Sequence, residues 1–210
     1  MRIQNTIRSS EGEMSHTKRT AKEIITGIDK VIESIVDEQI ETILNAILMA
    51  KDQKIIVMGS GRSGFVGNCF ALRLMHLGFN VYVAGETITP ALKEEDLAIA
   101  ISGSGTTRTV VTQAEVAKEI GAKVLAITSH PESPLGQISD YVVVVKGRTK
   151  VAKEDDYISR QMMGEHEPLA PLGTMFELSA LVFLDCVVAE LMYRMGEKEE
   201  DLRKRHAVIE

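Results

Sequence analysis

The sequence predicts an α/β protein built on a doubly wound, five-stranded parallel sheet, with N-terminal helices before it and a long C-terminal helix after it. Five short runs, rich in β-branched residues, are continuously apolar, and this pattern is typical of strands buried on both faces. Helical periodicity separates the runs, and alternating strands and helices predict right-handed βαβ units. For such a sheet we expect the strand order 2-1-3-4-5.

Each element has its own pattern along the chain. The predicted strands are 54–59 (KIIVMG), 80–84 (NVYVA), 97–101 (LAIAI), 123–128 (KVLAIT) and 141–145 (YVVVV). Apolar residues at helical spacing predict two helices within 17–51 and further helices at 65–77, 110–120, 174–195 and 197–206. Residues 1–16 lack this periodicity and are interpreted as a loose tail before a single domain, 17–210. The charged stretch 146–173 predicts a long loop.

Composition and charge exclude several classes of protein. Hydrophobic residues make up 44% of the 210 residues and charged residues 26%, as in ordinary globular domains. The formal net charge of −6 offers no basic surface for nucleic acid. The N-terminus lacks the apolar region of a signal peptide, and acidic residues interrupt the longest apolar stretch, so we expect no membrane span. Two distant cysteines, Cys69 and Cys186, fit a reducing cytoplasm.

A glycine-rich turn, GSGRSG at 59–64, joins the first predicted strand to a helix. It matches the dinucleotide fingerprint G-x-G-x-x-G in the expected strand–turn–helix context, and Glu86 lies at a suitable distance downstream for a ribose contact. Any tight turn between a strand and a helix also needs glycine, so the motif alone does not decide between a ligand site and a plain turn.

A second turn, ISGSGTTRT at 101–109, follows the third strand and opens a helix. Its hydroxyl residues lie among helix N-terminal amides: Ser102, Ser104, Thr106, Thr107 and Thr109. Unpaired amides and the helix dipole favour an anion there, and hydroxyls add neutral donors for phosphate oxygens. Helix capping would account for one or two of the hydroxyls but not for all five. The turn, including Gly103 and Gly105, therefore predicts phosphate binding.

The expected topology brings the two turns together. In a sheet of order 2-1-3-4-5, the turns after strands one and three flank the switch point where ligands bind. A dinucleotide needs only the first turn, whereas a small phosphorylated molecule can use both. The pair therefore favours a phosphomonoester ligand, with Gly61, Arg62 and Ser63 as candidate contacts beside the 102–107 turn.

These motifs resemble the sugar isomerase (SIS) domain family, whose hallmark is a Ser/Gly-rich phosphate loop after the third strand. The resemblance runs from about residue 20 to the C-terminus and is most specific to the 6-phospho-3-hexuloisomerases of that family. It rests on GSGRSGFVG (59–67), ALRLMHLGF (71–79), GETITP (85–90), SGSGTT (102–107), SPL (133–135), PLGTMFE (171–177) and KRH (204–206). The sequence departs from the family at 207–209, where Ala, Val and Ile replace a segment that usually contains Asn, so no role of that Asn is carried over.

The resemblance implies an isomerase that interconverts 3-hexulose 6-phosphate and fructose 6-phosphate through a cis-enediol, in the ribulose monophosphate pathway. It also implies that the enzyme needs no metal and no nucleotide cofactor. Its expected partners are a phosphorylated ketohexose and further copies of the chain, typically in a tetramer. The apolar helices at 24–48 and 175–192 support self-association, because they carry more apolar surface than one five-stranded sheet covers.

Two residues are candidates for the proton transfers of such a reaction. The resemblance implies that Glu177, in PLGTMFE, is the base, although the spacing Thr174-x-x-Glu177 also fits a capping box at a helix start. His206, in KRH, is a candidate proton shuttle or ring-opening acid, since imidazole titrates near neutral pH. It fits an exposed helix end equally well. In a functional role, His206 is expected to enter the site of a neighbouring subunit.

Other polar residues are open to two interpretations. Arg62 and Ser63 are candidates for contacts with phosphate or sugar hydroxyls, while Arg62 also fits a surface charge. Glu86 either lines the sugar site or belongs to a hydroxyl-rich turn. His166, flanked by two glutamates, is not expected to bind metal, because adjacent side chains on a loop rarely converge on one ion.

Three other functions are consistent with parts of the pattern. A non-catalytic sugar-phosphate sensor would share the domain, although the acidic N-terminal helices do not suit DNA. An isomerase of a pentose or heptose phosphate would share the phosphate loop. A nucleotide-dependent oxidoreductase would use the 59–64 turn and would bind NAD(H).

Overall fold

The computed structural model describes residues 14–147 and 170–206. Within these ranges the strands are β1 (Lys54–Gly59), β2 (Asn80–Val83), β3 (Leu97–Ile101), β4 (Lys123–Thr128) and β5 (Tyr141–Val144). The helices are α1 (His16–Glu33), α2 (Asp37–Met49), α3 (Arg62–His76), α4 (Arg108–Ile120), α5 (Pro134–Ile138), α6 (Thr174–Met195) and α7 (Glu199–Lys204). The expectations for His166, for most of the 146–173 loop and for residues 1–13 and 207–210 lie outside the described residues.

The five strands form one sheet in which every pairing is parallel and the order is β2-β1-β3-β4-β5. This order confirms the predicted fold class and topology. β1, β3 and β4 have the predicted bounds, whereas β2 and β5 each end one residue earlier than predicted. Both are edge strands, paired on one side only, so their ladders end sooner.

Side chains of the sheet alternate between two cores, one on each face. In β3, Leu97, Ile99 and Ile101 pack in a core shared with α2, α3 and α6. Ala98 and Ala100 pack in a second core, shared with α4 and α5. Every residue of β3 is buried, which explains why its sequence is a continuous apolar run rather than an alternating one. The small side chains of the second core let α4 lie close to the sheet.

Several helices differ in their bounds from the predictions. α3 begins at Arg62 and α4 at Arg108, earlier than their apolar periodicity indicates, because their first turns carry polar residues. α7 covers six residues, fewer than the predicted 197–206. The short helix α5 is absent from the predictions, since five residues are too few for a periodic pattern. Its N-cap is Ser133, whose hydroxyl accepts a hydrogen bond from the Gly136 amide.

Two helices that pack against each other, α1 and α6, leave apolar side chains in solvent. α1 has no buried residue, and Ile25 is 67% exposed. α6 buries one side against the sheet but exposes Val182 and Tyr193 on the other. In the part of the chain that the structure describes, no helix combines the length and the apolar character that a membrane crossing requires.

Candidate active site

A cavity of about 320 Å³ opens at the carboxyl edge of the sheet, between the turns that follow β1 and β3. Three segments line it: 60–63 at the start of α3, 101–104 with Thr107 before α4, and 172–173 with 176–177 at the start of α6. The first two segments meet because β1 and β3 are paired so that Gly59 lies beside Ile101. The two glycine-rich turns therefore face one cavity, as the predicted topology requires.

Three helix N-termini converge on this cavity. α3 begins at Arg62, α4 follows its N-cap Thr107, and α6 follows its N-cap Gly173. The first amides of a helix have no partner within the helix, and the helix dipole adds partial positive charge at them. The cavity therefore offers backbone donors to an anion from three directions.

The hydroxyl groups of the second turn form a short network beside these amides. Ser102 Oγ donates a hydrogen bond to Thr107 Oγ1 at 3.1 Å. The hydroxyl of Thr106 donates to Ser104 Oγ, also at 3.1 Å. Ser102, Ser104 and Thr107 line the cavity, while Thr106 is exposed outside the lining. Capping does not account for these hydroxyls, since Thr107, the N-cap of α4, makes no side-chain hydrogen bond to the first turn.

Gly105 fixes the second turn against the neighbouring loop. Its φ of +61° lies in the left-handed region that favours glycine, and a Cβ at this position would lie 1.8 Å from Ser133 Oγ. The Gly105 carbonyl accepts a hydrogen bond from the Leu135 amide at 3.1 Å, and the Gly103 carbonyl accepts one from the Ser129 amide at 3.0 Å. α5 and the residue after β4 thus hold the turn in this shape.

The first turn brings β1 and α3 into close contact. A Cβ on Gly59 would lie 2.9 Å from Gly64 Cα, so only glycine fits where the strand ends against the helix. At Gly61, with φ of +59°, a Cβ would meet no heavy atom within 4 Å beyond its chain neighbours. The turn needs its glycines for its own geometry, and the space beside Gly61 is open to a ligand.

Glu177 lies in the first turns of α6 and lines the cavity. Its carboxyl group lies against Gly173, where a Cβ would come within 3.2 Å of Oε1. Arg62 Nε lies 2.6 Å from Glu177 Oε2, in an ion pair whose side chains are 60% (Arg62) and 16% (Glu177) exposed. Oε2 is sealed from solvent and accepts no aligned hydrogen bond from any described residue. Among the described residues, the lining of the cavity therefore includes one carboxylate, held by one guanidinium.

The capping box considered as an alternative for Thr174 and Glu177 is wrong. α6 begins at Thr174 itself, and its N-cap is Gly173, with φ of +89° and no side-chain hydrogen bond to the first turn. The Glu177 amide donates to the Gly173 carbonyl at 3.0 Å, as an ordinary helical bond. The carboxyl group of Glu177 is therefore not used in capping.

Four predicted site residues lie outside the cavity lining: Gly105 and Thr106 belong to the second turn beside it, whereas Glu86 and His206 lie elsewhere. Glu86 is exposed in the turn after β2, where the Thr89 hydroxyl donates to the Glu86 carbonyl at 2.8 Å. His206 follows α7 and stacks on His76, with ring centroids 3.8 Å apart. His76 ends α3, roughly 20 Å along the helix from Arg62, so His206 lies far from the cavity of its own subunit.

Sequence reasoning does not select Ser60, Leu172 or Phe176, which also line the cavity. Phe176 is held by close contacts: a Cβ on Gly103 would lie 2.8 Å from its ring, and one on Gly147 would lie 2.7 Å from its backbone. Gly103, which lies between two serines of the second turn, was the available signal. It marks the close approach that brings the start of α6, and with it Glu177, to the second turn.

The polar groups that residues 14–147 and 170–206 contribute to the cavity are hydroxyls, amides, one guanidinium and one carboxylate. This set suits a phosphate ester together with proton transfer at a carbon next to a carbonyl. Across residues 14–147 and 170–206, no three His, Cys, Asp or Glu side chains are close enough to share a metal ion. Cys69 on α3 and Cys186 on α6 are free and exposed.

The SIS domain family matches residues 48–163, a span that contains both turns of the cavity. The 3-hexulose-6-phosphate isomerase of Methanocaldococcus jannaschii is 39% identical over 168 residues, which cover 80% of this chain and 82% of the relative. The 3-hexulose-6-phosphate isomerase of Bacillus subtilis is 34% identical over 194 residues, which cover 92% of this chain and 99% of the relative.

A solved structure agrees with these relatives. It is the crystal structure of a Methanococcus jannaschii protein for which a function as 3-hexulose-6-phosphate isomerase was inferred, with a TM-score of 0.71 and 34% identity over 94% of this chain and 100% of that one. The chain belongs to the SIS domain family. Within this family it is one of the sugar-phosphate isomerases.

Proposed function

We propose that this protein interconverts D-arabino-3-hexulose 6-phosphate and fructose 6-phosphate, as a step of the ribulose monophosphate pathway. One observation carries the proposal: a single cavity holds both an anion cradle, made by the two turns, and the carboxylate of Glu177. The activity named for the relatives from M. jannaschii and B. subtilis supports this choice of substrate.

In this proposal the phosphate group binds at the two turns and the reacting carbons lie at Glu177. Phosphate oxygens accept hydrogen bonds from the hydroxyls of Ser102, Ser104 and Thr107 and from first-turn amides of α3 and α4. A clamp on the remote phosphate orients C2 and C3 of the sugar against the base, so binding free energy is used to accelerate the reaction.

The proton transfers balance within the substrate. Glu177 takes the proton from C2 of the 3-hexulose, the electron pair of that C–H bond forms the C2=C3 double bond, and the C3 oxygen gains a proton to give the cis-enediol. The O2 hydroxyl then loses its proton while C3 takes one from Glu177, which gives the C2 carbonyl of fructose 6-phosphate. A second group must carry the proton from O2 to O3, and His206 is our candidate.

We also propose that the enzyme is a cytoplasmic homotetramer in which His206 serves the site of a neighbouring subunit. His206 is exposed and distant from its own cavity, and the outer faces of α1 and α6 are uncovered, with Tyr193 82% exposed. Exposed free thiols fit a reducing compartment.

Mixed tetramers of Glu177→Gln and His206→Ala subunits should regain part of the activity. A monomer in light scattering, or no recovery on mixing, would contradict this arrangement.

Proton exchange in heavy water tests the proposed reaction. The wild type should replace the C3 proton of fructose 6-phosphate with deuterium, which proton NMR follows as loss of the C3–H signal. Glu177→Gln should bind inorganic phosphate at least as tightly as the wild type but should exchange this proton far more slowly. Glu115→Gln, on the exposed side of α4, is the matched control and should exchange at the wild-type rate.

The competing functions predict different results in the same assay. A sugar-phosphate sensor would bind fructose 6-phosphate and gain thermal stability without exchanging any carbon-bound proton. An isomerase of a pentose or heptose phosphate would exchange a carbon-bound proton of that sugar instead. An oxidoreductase would bind NAD(H). Absence of C3 exchange by the wild type would overturn the proposed reaction.

A further inference from the structure

The ion pair between Arg62 and Glu177 conflicts with the role proposed for Glu177. Arg62 Nε lies 2.6 Å from Glu177 Oε2, so a cation already holds one oxygen of the carboxylate that should take a carbon-bound proton. Oε2 is also sealed from solvent. While this pair persists, the reacting carbon of a substrate cannot approach Oε2. Separation of the pair would make both oxygens of Glu177 available to the substrate.

Arg62 is free to change its partner. It is the first residue of α3, between Gly61 and Ser63, which line the same cavity. Its side chain is 60% exposed, so packing does not fix it against Glu177. The space beside Gly61 is open, since a Cβ there would meet no heavy atom within 4 Å beyond its chain neighbours. A rotation of the Arg62 side chain thus has room within the site.

A phosphate ester is a stronger partner for this guanidinium than the carboxylate is. Near neutral pH it carries between one and two negative charges and three acceptor oxygens, and it accepts two parallel hydrogen bonds from the planar guanidinium fork. The hydroxyls of Ser102, Ser104 and Thr107 hold such an anion in the cavity that Arg62 and Glu177 share.

We propose that Arg62 masks Glu177 in the empty site and moves to the substrate phosphate on binding, which releases the carboxylate to act as the base. This inference rests on the proposed function. It makes Arg62 a positioning residue for Glu177, because phosphate binding decides which partner Arg62 contacts. It also gives the enzyme selectivity for phosphorylated sugars, because an unphosphorylated ketose leaves the ion pair intact.

The change of partner can be observed without turnover, with inorganic phosphate as the probe. In protein carrying ¹³C in its glutamate carboxyl groups, the NMR signal of Glu177 is identified by its loss in Glu177→Gln. In the wild type, we expect phosphate to move the Glu177 signal to the chemical shift that this signal has in phosphate-free Arg62→Gln. In Arg62→Gln itself, we expect phosphate to move the signal much less. Arg73→Gln, on the exposed side of the last turn of α3, should behave as the wild type. A wild-type signal that phosphate leaves in place overturns the inference.

A kinetic experiment separates masking from simple phosphate binding. Exchange of the C3 proton of unphosphorylated fructose is measured in heavy water with and without phosphite, an anion that takes the place of the missing phosphate group. For the wild type we expect phosphite to accelerate C3 exchange about tenfold or more. For Arg62→Gln we expect faster exchange than the wild type without phosphite, and an acceleration by phosphite below about twofold.

The outcomes of these experiments are distinct. Phosphite-free exchange in Arg62→Gln that is equal to or slower than in the wild type would mean that Arg62 does not mask Glu177, and the inference would be wrong. Exchange of fructose 6-phosphate by the wild type is measured alongside. If that exchange is absent, the proposed function fails. If it is present while phosphate leaves the Glu177 signal unmoved, only this inference fails.

Discussion

Asp96 and Asp140, at the amino edge of the sheet, are surrounded by hydrogen-bond donors, whereas Glu177 at the carboxyl edge is not. Asp96 precedes β3 and accepts the Lys54 amide of β1 at 2.9 Å. Asp140 precedes β5 and accepts the Val124 amide of β4 at 2.8 Å. Each aspartate therefore joins the start of its own strand to the start of a neighbouring strand.

A lysine completes each of these contacts. Lys54 Nζ lies 2.8 Å from Asp96 Oδ2, and Lys118 Nζ lies 2.7 Å from Asp140 Oδ1. Burial acts to raise the pKa of both aspartates, but the lysines and the backbone amides outweigh it, so each pKa lies below its usual value. Both carboxylates are thus stabilised in their charged form by the fold itself.

Glu177, at the carboxyl edge, lacks a comparable set of hydrogen-bond donors among the described residues. Glu177 Oε2 accepts no aligned hydrogen bond from the described residues, and its ion-pair partner Arg62 is mostly exposed. Unsatisfied buried polar atoms are rare in native proteins and call for an explanation. The two edges thus differ in how their acids are held, and under our proposal the amino-edge aspartates contribute stability while Glu177 at the carboxyl edge serves a ligand. Substitutions at the two edges should therefore separate activity from stability.

The largest effect is expected from Glu177→Gln. Loss of the general base should slow C3 exchange of fructose 6-phosphate by about a thousandfold. The free energy of unfolding should fall by less than about 1 kcal/mol, because only an ion pair with an exposed arginine is lost. Exchange kinetics and denaturant unfolding measure the two quantities. Near-wild-type exchange in this variant would remove Glu177 from the mechanism.

Gly105→Ala should have the next largest effect. The left-handed φ of +61° and the approach of a Cβ to Ser133 Oγ both oppose the substitution. We expect a loss of about 3 kcal/mol in stability and weaker phosphate binding, since α5 must shift. Gly61→Ala, with φ of +59° and ψ of −135° but open space, is the comparison variant and should lose less, about 2 kcal/mol from backbone strain alone. Equal losses in denaturant unfolding would show that the contact with Ser133 does not matter.

Asp96→Asn should have the third largest effect, and it should lower only the free energy of unfolding. An Asn side chain has one acceptor oxygen, but three donors face Asp96: the Lys54 and Lys93 amides and the Lys54 ammonium. One donor would face an NH₂ group and the Lys54 charge would lose its partner, so we expect a loss of about 2 kcal/mol. Exchange of fructose 6-phosphate at pH 7 should be unchanged.

The same residue predicts a pH dependence with a definite sign. Because the pKa of Asp96 is lowered in the folded state, its stabilisation is present above the unfolded pKa of about 4 and is lost as the pH falls through the folded value. Unfolding measured from neutral to acidic pH should therefore show a smaller loss of stability in Asp96→Asn than in the wild type. An identical pH dependence in both proteins would rule out this contribution.

Sequence patterns predict much of this fold because the local preference of each segment agrees with its place in the tertiary structure. The apolar runs of β1, β3 and β4 correspond residue for residue to the strands, since these strands are buried on both faces. The hydroxyl-rich turn also lies where a ligand site was predicted. Patterns of this kind depend on neighbours in the chain, which the sequence displays directly.

The contacts that define the site escape such reasoning. Arg62 and Glu177 lie more than half the chain length apart, and nothing near either residue indicates their pairing. The contact of Gly105 with Ser133 depends on α5, which has no periodic pattern. The aspartate–amide contacts at the amino edge likewise join residues that only the sheet brings together. Sequence reasoning finds the elements of the site, and tertiary packing decides their partners.

The smallest effect is expected from Asp140→Asn. Asp140 is 19% exposed and Lys118 is 38% exposed, whereas Asp96 is 2% exposed, so water compensates more of the lost contact. We expect a loss of about 1 kcal/mol in the free energy of unfolding, again greater at neutral than at acidic pH because the folded pKa is lowered. The double variant Asp96→Asn/Asp140→Asn should lose the sum of the two, since no donor among the described residues contacts both carboxylates. A loss well beyond the sum in denaturant unfolding would show that the amino edge acts as one cooperative unit rather than as two separate contacts.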